Sequence, residues 1–309
     1  MKSLVCILFL ATTTLSYAQK YKITARDISV SAFVDGTILV PEGVENPPIA
    51  IIVGGSGPTD RNGNQQMINN NSLKLLAEGL SNQGIATFRY DKRILKQMKD
   101  RTLTEEEISF EDFIVDATEV VNYFKRSKAF SKIIVIGHSQ GSLVGMVAAK
   151  NGADGFVSLA GAGQAIDDVI VDQLEQQAPG LKDNARQAFD DMRANGIAVN
   201  YSPGLASIFR KQIQPFMLTW MKYDPKSEIA KLDIPILIIN GEKDLQVQVS
   251  EAEKLKVAKP DAQLKLIPRM NHILKEIKGD DVENSKSYNE PNRPVMTELI
   301  ELVGSFILK

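Results

Sequence analysis

The 309-residue chain has one cysteine, Cys6, and two histidines, His138 and His272. A lone cysteine closes no disulfide within the chain, so stability has to come from a packed core. Two histidines and no second cysteine leave no ligand set for a zinc site. Nor is there an excess of charge of one sign. The 36 basic and 38 acidic residues are dispersed along the sequence, which argues against nucleic acid or an anionic membrane as a partner. Past the first dozen residues no apolar run approaches the ~20 residues needed to cross a bilayer, and internal repeats and low-complexity tracts are missing.

The N-terminus reads as a targeting segment. Lys2 precedes an apolar run over residues 4–11, and Ser16-Tyr17-Ala18 has the small-x-small pattern of a cleavage site. The run is too short for a membrane anchor, so residues 1–18 are expected to be a secretory signal peptide, cleaved near Ala18. Cys6 lies inside the run, a poor position for lipid attachment. The mature protein is expected in the periplasm or outside the cell, without a membrane span.

The following segment, residues 28–40, alternates and is β-branched, as in a hairpin. Short apolar runs follow at 49–53, 85–88, 133–136, 156–160, 234–239 and 264–267, separated by helical patterns. Runs without in–out alternation belong to strands covered on both faces, so the expected class is α/β, with a mostly parallel sheet between helical layers. Over residues 110–124, Phe110, Phe113, Ile114, Ala117, Val120, Val121 and Phe124 share one helical face, with Ser109 as N-cap and Asp112 three residues on. Glu111, Asp116, Glu119, Asn122 and Lys125 fill the other face and are expected to be solvated. After residue 139 a stripe of Gly141, Gly145 and Ala149 marks a helix able to lie close to the sheet. A final helix is expected over residues 295–308. Between 164 and 231 the strand–helix alternation stops, and helices are expected over 165–177, 181–194 and 205–223. This segment reads either as a cap over one end of a core made of 19–163 and 232–309, or as an additional helical layer.

Chemistry centres on Gly137-His138-Ser139-Gln140-Gly141, a G-x-S-x-G pentapeptide between a buried run and the small-residue helix. That context suits a nucleophile elbow, where a strained turn lifts the serine hydroxyl clear of the sheet. The hydroxyl needs a base. His138 is adjacent to Ser139 and is expected to turn away as a structural residue, which leaves His272 as general base. A carboxylate must hold the imidazole, and Asp244 follows the 234–239 run on the loop leaving that strand; Glu242 is its competitor. Backbone donors for an oxyanion are expected at Gln140 and in the loop Gly54-Gly55-Ser56-Gly57-Pro58, at Ser56 first and Gly55 second. The glycine-rich loop lacks a following Gly-Lys-Ser/Thr, and no G-x-G-x-x-G is present, so no phosphate or dinucleotide cofactor is expected. The Asp60-x-Asn62-x-Asn64 segment fails as a calcium loop, with its glycine misplaced and Asn71 in twelfth position.

The elbow, the Gly-Gly-Ser-Gly-Pro-x-Asp-Arg loop, Phe88-Arg89-Tyr90-Asp91-Lys92-Arg93, Gly241-Glu242-Lys243-Asp244 and Asn271-His272 together resemble secreted bacterial α/β-hydrolases. The resemblance is to serine-aminopeptidase-like hydrolases and their carboxylesterase relatives, and runs from about residue 49 to the end. It implies an α/β-hydrolase fold, the triad Ser139, Asp244 and His272 in that family's order, oxyanion donors Ser56 and Gln140, and hydrolysis of a small ester through an acyl-enzyme. An aminopeptidase or thioesterase with the same residues, or a silent binding protein on this fold, are the alternatives. One departure is Ile94-Leu95, where relatives often carry Gly-x-Gly. Asp91 is expected to pair with Arg89 or Arg93. Phe209, Phe216, Met217 and Trp220 either line an apolar acyl pocket or pack the helical segment.

Overall fold

The computed structural model describes residues 20–309, so the signal-peptide segment and Cys6 lie outside the described residues. Strands β1 (Ile23–Ser29) and β2 (Asp35–Pro41) form the expected hairpin. They are followed by β3 (Ile49–Val53), β4 (Ala86–Tyr90), β5 (Ile133–His138), β6 (Gly155–Leu159), β7 (Ile236–Gly241) and β8 (Gln263–Ile267). All eight make one sheet in the order β1-β2-β4-β3-β5-β6-β7-β8, antiparallel through β2–β4 and parallel from β4 onward.

The helices are α1 (Ser72–Ser81), α2 (Arg93–Asp100), α3 (Phe110–Ser127), α4 (Gln140–Ala149), α5 (Ile166–Gln177), α6 (Lys182–Asn195), α7 (Ala206–Phe209) and α8 (Gln214–Trp220). They continue with α9 (Pro225–Ala230), α10 (Val249–Ala258), α11 (Asp281–Ser287) and α12 (Thr297–Leu308). The sheet separates two apolar clusters. Ile49, Ile51 and Val53 face the cluster with α3, α4 and α10, while Ala50 and Ile52 face α1 and α12. That double burial is why the strand sequences carry no alternation. Among the described residues, no helix is long and apolar enough to cross a membrane.

The five helices α5–α9 fall between β6 and β7, and the third helix expected in this segment, over 205–223, is broken into α7 and α8. A separate cluster around Phe189, Phe209, Met192 and Met217 holds α5–α8 together. Trp220 stacks on Phe110 at 5.4 Å, and Phe216 meets Phe113 edge-on at 5.9 Å, tying α8 to α3.

Helix α3 has the capping box expected of Ser109 and Asp112. One residue of its outer face departs from expectation. Asp116 is buried, and Arg93 grips it through Nε at 2.8 Å and Nη2 at 2.7 Å while also bonding Asp112. The reason is α2, which begins at Arg93, runs through Ile94-Leu95 and lays Arg93 against that face. Asp91 pairs with neither neighbour. It accepts from Arg61 through the main-chain N at 2.7 Å, Nε at 3.0 Å and Nη2 at 2.6 Å. Replacing Arg93 by Met would strand the Asp116 carboxyl in the interior. Arg93→Met is expected to cost about 3–5 kcal/mol in urea unfolding at neutral pH, and adding Asp116→Asn should recover part of the loss.

Candidate active site

The strand order reverses at β3, whose neighbours are β4 on one side and β5 on the other. Connections leave in opposite directions there, opening a crevice beyond the carboxyl ends of β3 and β5. The glycine-rich loop continues from β3, and Ser139 follows β5 directly. Ser139 has φ 54° and ψ −123°, a conformation that side chains other than glycine rarely adopt. Two glycines make the turn sterically possible. A Cβ on Gly137 would stand 2.2 Å from the Gly141 carbonyl oxygen, and one on Gly141 2.3 Å from that of Val53. The first turn of α4 thus packs directly onto the strand ends.

Asp244 and His272 come from the ends of β7 and β8. Asp244 is fixed in a tight turn, its Oδ1 accepting from the backbone N–H of Gln246 at 2.8 Å and Val247 at 2.9 Å. Its Oδ2 lies 2.8 Å from His272 Nδ1, and both side chains are buried. With Nδ1–H directed at the carboxylate, the lone pair of the ring resides on Nε2. Asn271 anchors the histidine loop. Its amide donates to Asn284 and Ser287, and Asn284 donates in turn to the Lys243 carbonyl, linking the histidine loop to the acid loop. Asn284 and Ser287 follow the motif at a distance and carry no sequence signature of this role. Glu242, the competitor for the acid's place, is exposed and makes no bond to His272.

His138 does not leave the crevice as expected: it lies in the wall of the cavity that Ser139 and His272 line, and its Nε2 meets the His272 carbonyl oxygen at 2.7 Å. Burial pushes its pKa down to about 4, and the neighbouring His272 ring adds to the shift. It is therefore neutral, with Nε2–H donating.

The loop after β3 lies against the serine, since a Cβ on Gly55 would come 3.2 Å from the Ser139 Cβ. The Ser56 carbonyl accepts from Thr59 Oγ1 and Gln65 Nε2, each at 2.8 Å. The Gly55 carbonyl accepts from Lys92 Nζ at 2.9 Å, and the same ammonium donates to Gln140 Oε1 at 2.7 Å. Lys92 is buried, which pushes its pKa down to about 7 against the opposing pull of Asp116. Its hydrogen-bonding role has no local sequence signature; the residue stood within the resemblance segment after Tyr90. Ser56, Ser139, His272, Ile68, Gln246 and Tyr288 help to line a single cavity of about 180 Å³. The aromatic residues Phe209, Phe216 and Trp220 belong instead to the packing of α7 and α8, and with Met217 they stay clear of this cavity.

The depressed pKa of His138 gives stability a pH dependence. The unfolded imidazole takes a proton near 6.5 and the folded one only near 4, so stability present above pH 6.5 is lost as pH falls toward 4. The contribution is about 3 kcal/mol. In His138→Gln, whose amide can still donate to the His272 carbonyl, urea unfolding between pH 7 and pH 4 should lose that part of the slope.

No protein-family model matches the chain. Among curated proteins it is 29% identical to the esterase EstD of Thermotoga maritima, a match covering 95% of this chain and 69% of that one. Among solved structures, Est1E from Butyrivibrio proteoclasticus superposes with a TM-score of 0.58 at 19% identity, over 92% of this chain and 99% of that one. The Pyrococcus furiosus esterase Pf2001 gives 0.54 at 15% identity, over 93% and 91%. The strand order, the turn at Ser139 and these likenesses agree, and the chain is an α/β-hydrolase-fold protein related to esterases.

Proposed function

We propose that this protein is a carboxylic ester hydrolase that works through an acyl-enzyme. The observation that carries the reading is the strained Ser139 turn sharing a cavity with His272, whose Nδ1 lies 2.8 Å from Asp244. The name of the Thermotoga maritima relative, an esterase, points the same way. His272 Nε2 takes the proton of Ser139 as Oγ attacks the ester carbonyl, and Asp244 stabilises the resulting imidazolium. The backbone N–H groups of Ser56 and Gln140 receive the oxyanion. The alcohol leaves with the proton from His272, which then activates water to release the acid and free Ser139.

Residues 164–231 act in this reading as a cap beside the crevice, with Gln173 reaching the Gln246 carbonyl at 2.8 Å. The cap's carboxylates disfavour an aminopeptidase. Asp167 is buried under Arg186 and Arg193, Asp168 is paired with Arg186, and Glu175 with Lys182. These partners neutralise three of the four cap carboxylates that could receive a substrate ammonium, while the fourth, Asp172, accepts from the neutral amide of Gln164 at 2.6 Å. Residues 1–18 direct export in the same proposal, and N-terminal sequencing of mature protein tests for cleavage at Ala18.

Ser139→Ala should lower kcat by about 10⁴-fold or more and abolish labelling by a fluorophosphonate, and Asp244→Asn should cost about 10⁴-fold with the protein still folded. Wild-type protein that cleaves no p-nitrophenyl acyl ester and takes no fluorophosphonate would overturn the reading. A cavity of about 180 Å³ without cap aromatics favours short acyl groups. Across a p-nitrophenyl ester series, kcat/KM is expected to peak between acetyl and butyryl and to fall at least about tenfold by octanoyl, some 1.4 kcal/mol in the barrier.

A further inference from the structure

Lysine is among the residues least often buried, and a buried lysine ordinarily faces a carboxylate. Lys92 is only 7% exposed, yet its two hydrogen bonds go to neutral oxygens, the Gly55 carbonyl and the Gln140 side chain. The ring of Phe113 closes its remaining side, with Nζ 4.1 Å from the centroid. Its nearest anion by electrostatic effect, Asp116, is already held bidentately by Arg93. The cation is thus directed at the two segments that flank Ser139.

Those two acceptors are a specific pair. Gly55 O belongs to the peptide unit whose nitrogen is Ser56 N, and that peptide is trans, as no cis bond occurs among the described residues. In a trans peptide the C=O and N–H point in opposite directions. A donor that grips the carbonyl from the buried side therefore turns the Ser56 N–H outward, toward the cavity that Ser56 and Ser139 line. Gln140 is the residue whose own N–H opens α4 next to the serine. Neither N–H has a hydrogen-bond acceptor among the described residues.

We propose that Lys92 is a positioning residue for the oxyanion hole, bridging the Gly55–Ser56 peptide and the Gln140 side chain so that both backbone N–H groups converge on the oxyanion. The proposal rests on the esterase reading above. The bridge sets geometry before reaction, which is where an oxyanion hole gains its advantage over water. A donor on the Gly55 oxygen also polarises its peptide and strengthens the opposite N–H as a donor. The main chain of Lys92 contributes as well, its N–H donating to Thr59 O at 3.3 Å, while Thr59 Oγ1 holds the Ser56 carbonyl. Position on a rigid element suits the task, because Lys92 stands between the end of β4 and the first turn of α2. With burial pulling its pKa to about 7, the side chain can lose its charge and still hold both oxygens, because a neutral amine keeps two N–H donors.

The test is Lys92→Met, with rates expressed per serine titrated to completion by a fluorophosphonate, so that unfolded protein does not enter kcat. On p-nitrophenyl acetate kcat should fall about 30- to 100-fold with KM within about twofold, less than the 10²–10³-fold typical of deleting an oxyanion donor outright. Affinity for a trifluoromethyl ketone, which forms a tetrahedral adduct, should fall by the same factor as kcat/KM. Should Lys92→Met yield no folded protein, Gln140→Met removes one end of the bridge and leaves the lysine and both N–H groups. It should lower kcat about three- to tenfold at unchanged KM, on the scale of about 1 kcal/mol for one hydrogen bond. A Lys92→Met enzyme with kcat within threefold of wild type, or with ketone affinity unchanged while kcat/KM falls, overturns the proposal, as does an unaltered kcat in Gln140→Met. If wild-type protein itself cleaves no ester and takes no fluorophosphonate, the parent reading has failed instead.

Discussion

The close approach of α4 to the ends of β3 and β5 is the constraint on which the site depends. Gly137 and Gly141 have no room for a Cβ, so the chain passes from strand to helix in the least space available. The residue between the buried strand and the helix start is then forced to positive φ, and that residue is Ser139. Strain concentrated in one turn persists because the surrounding sheet and helix over-determine it. The same close packing sets the β3 loop against the serine, so the turn and this loop are parts of one contact rather than two independent features.

Around this contact the interior is charged to an unusual degree, and neighbouring residues divide the work. Arg93 takes the carboxylates of α3, its planar guanidinium suiting the bidentate grip on Asp116. Lys92, one residue earlier, is left to neutral acceptors on the loop and the elbow. On the opposite side His138 and Asn271 hold the His272 loop by its carbonyl and its flanking backbone. The groups that carry chemistry in the proposed reaction are thus braced by buried polar residues.

The cap segment shapes the substrate side by what it withholds. Its aromatic residues are consumed in its own core and in the stack of Trp220 on Phe110. The cavity at Ser139 is left small and mixed in lining, with Gln246 and Tyr288 hydrogen-bonded to each other across part of its wall. In the proposed reaction, the expected preference for short acyl groups would follow from how this segment satisfies its own apolar surface.

Much of this was legible in the linear sequence for physical reasons. Strands buried on both faces leave continuous apolar runs, a close helix–strand turn demands glycines at fixed spacing, and two histidines leave little choice of base. Ser139, Asp244 and His272, the residues of the proposed triad, could be singled out because each follows such a run, and the fold class followed from the runs themselves. The broken third cap helix, Asp116 and Lys92 were not legible. Asp116 occupies what periodicity marks as a solvent face, and only the packing of α2 against α3 buries it beneath Arg93. Lys92 looks like any lysine after a strand, and only the juxtaposition of β4, the β3 loop and α4 brings its ammonium to both sides of Ser139. Local spacing determined which residues bear reactive groups. The assembled tertiary structure decided which residues hold them, because a hydrogen bond between distant segments leaves no periodic trace in either one.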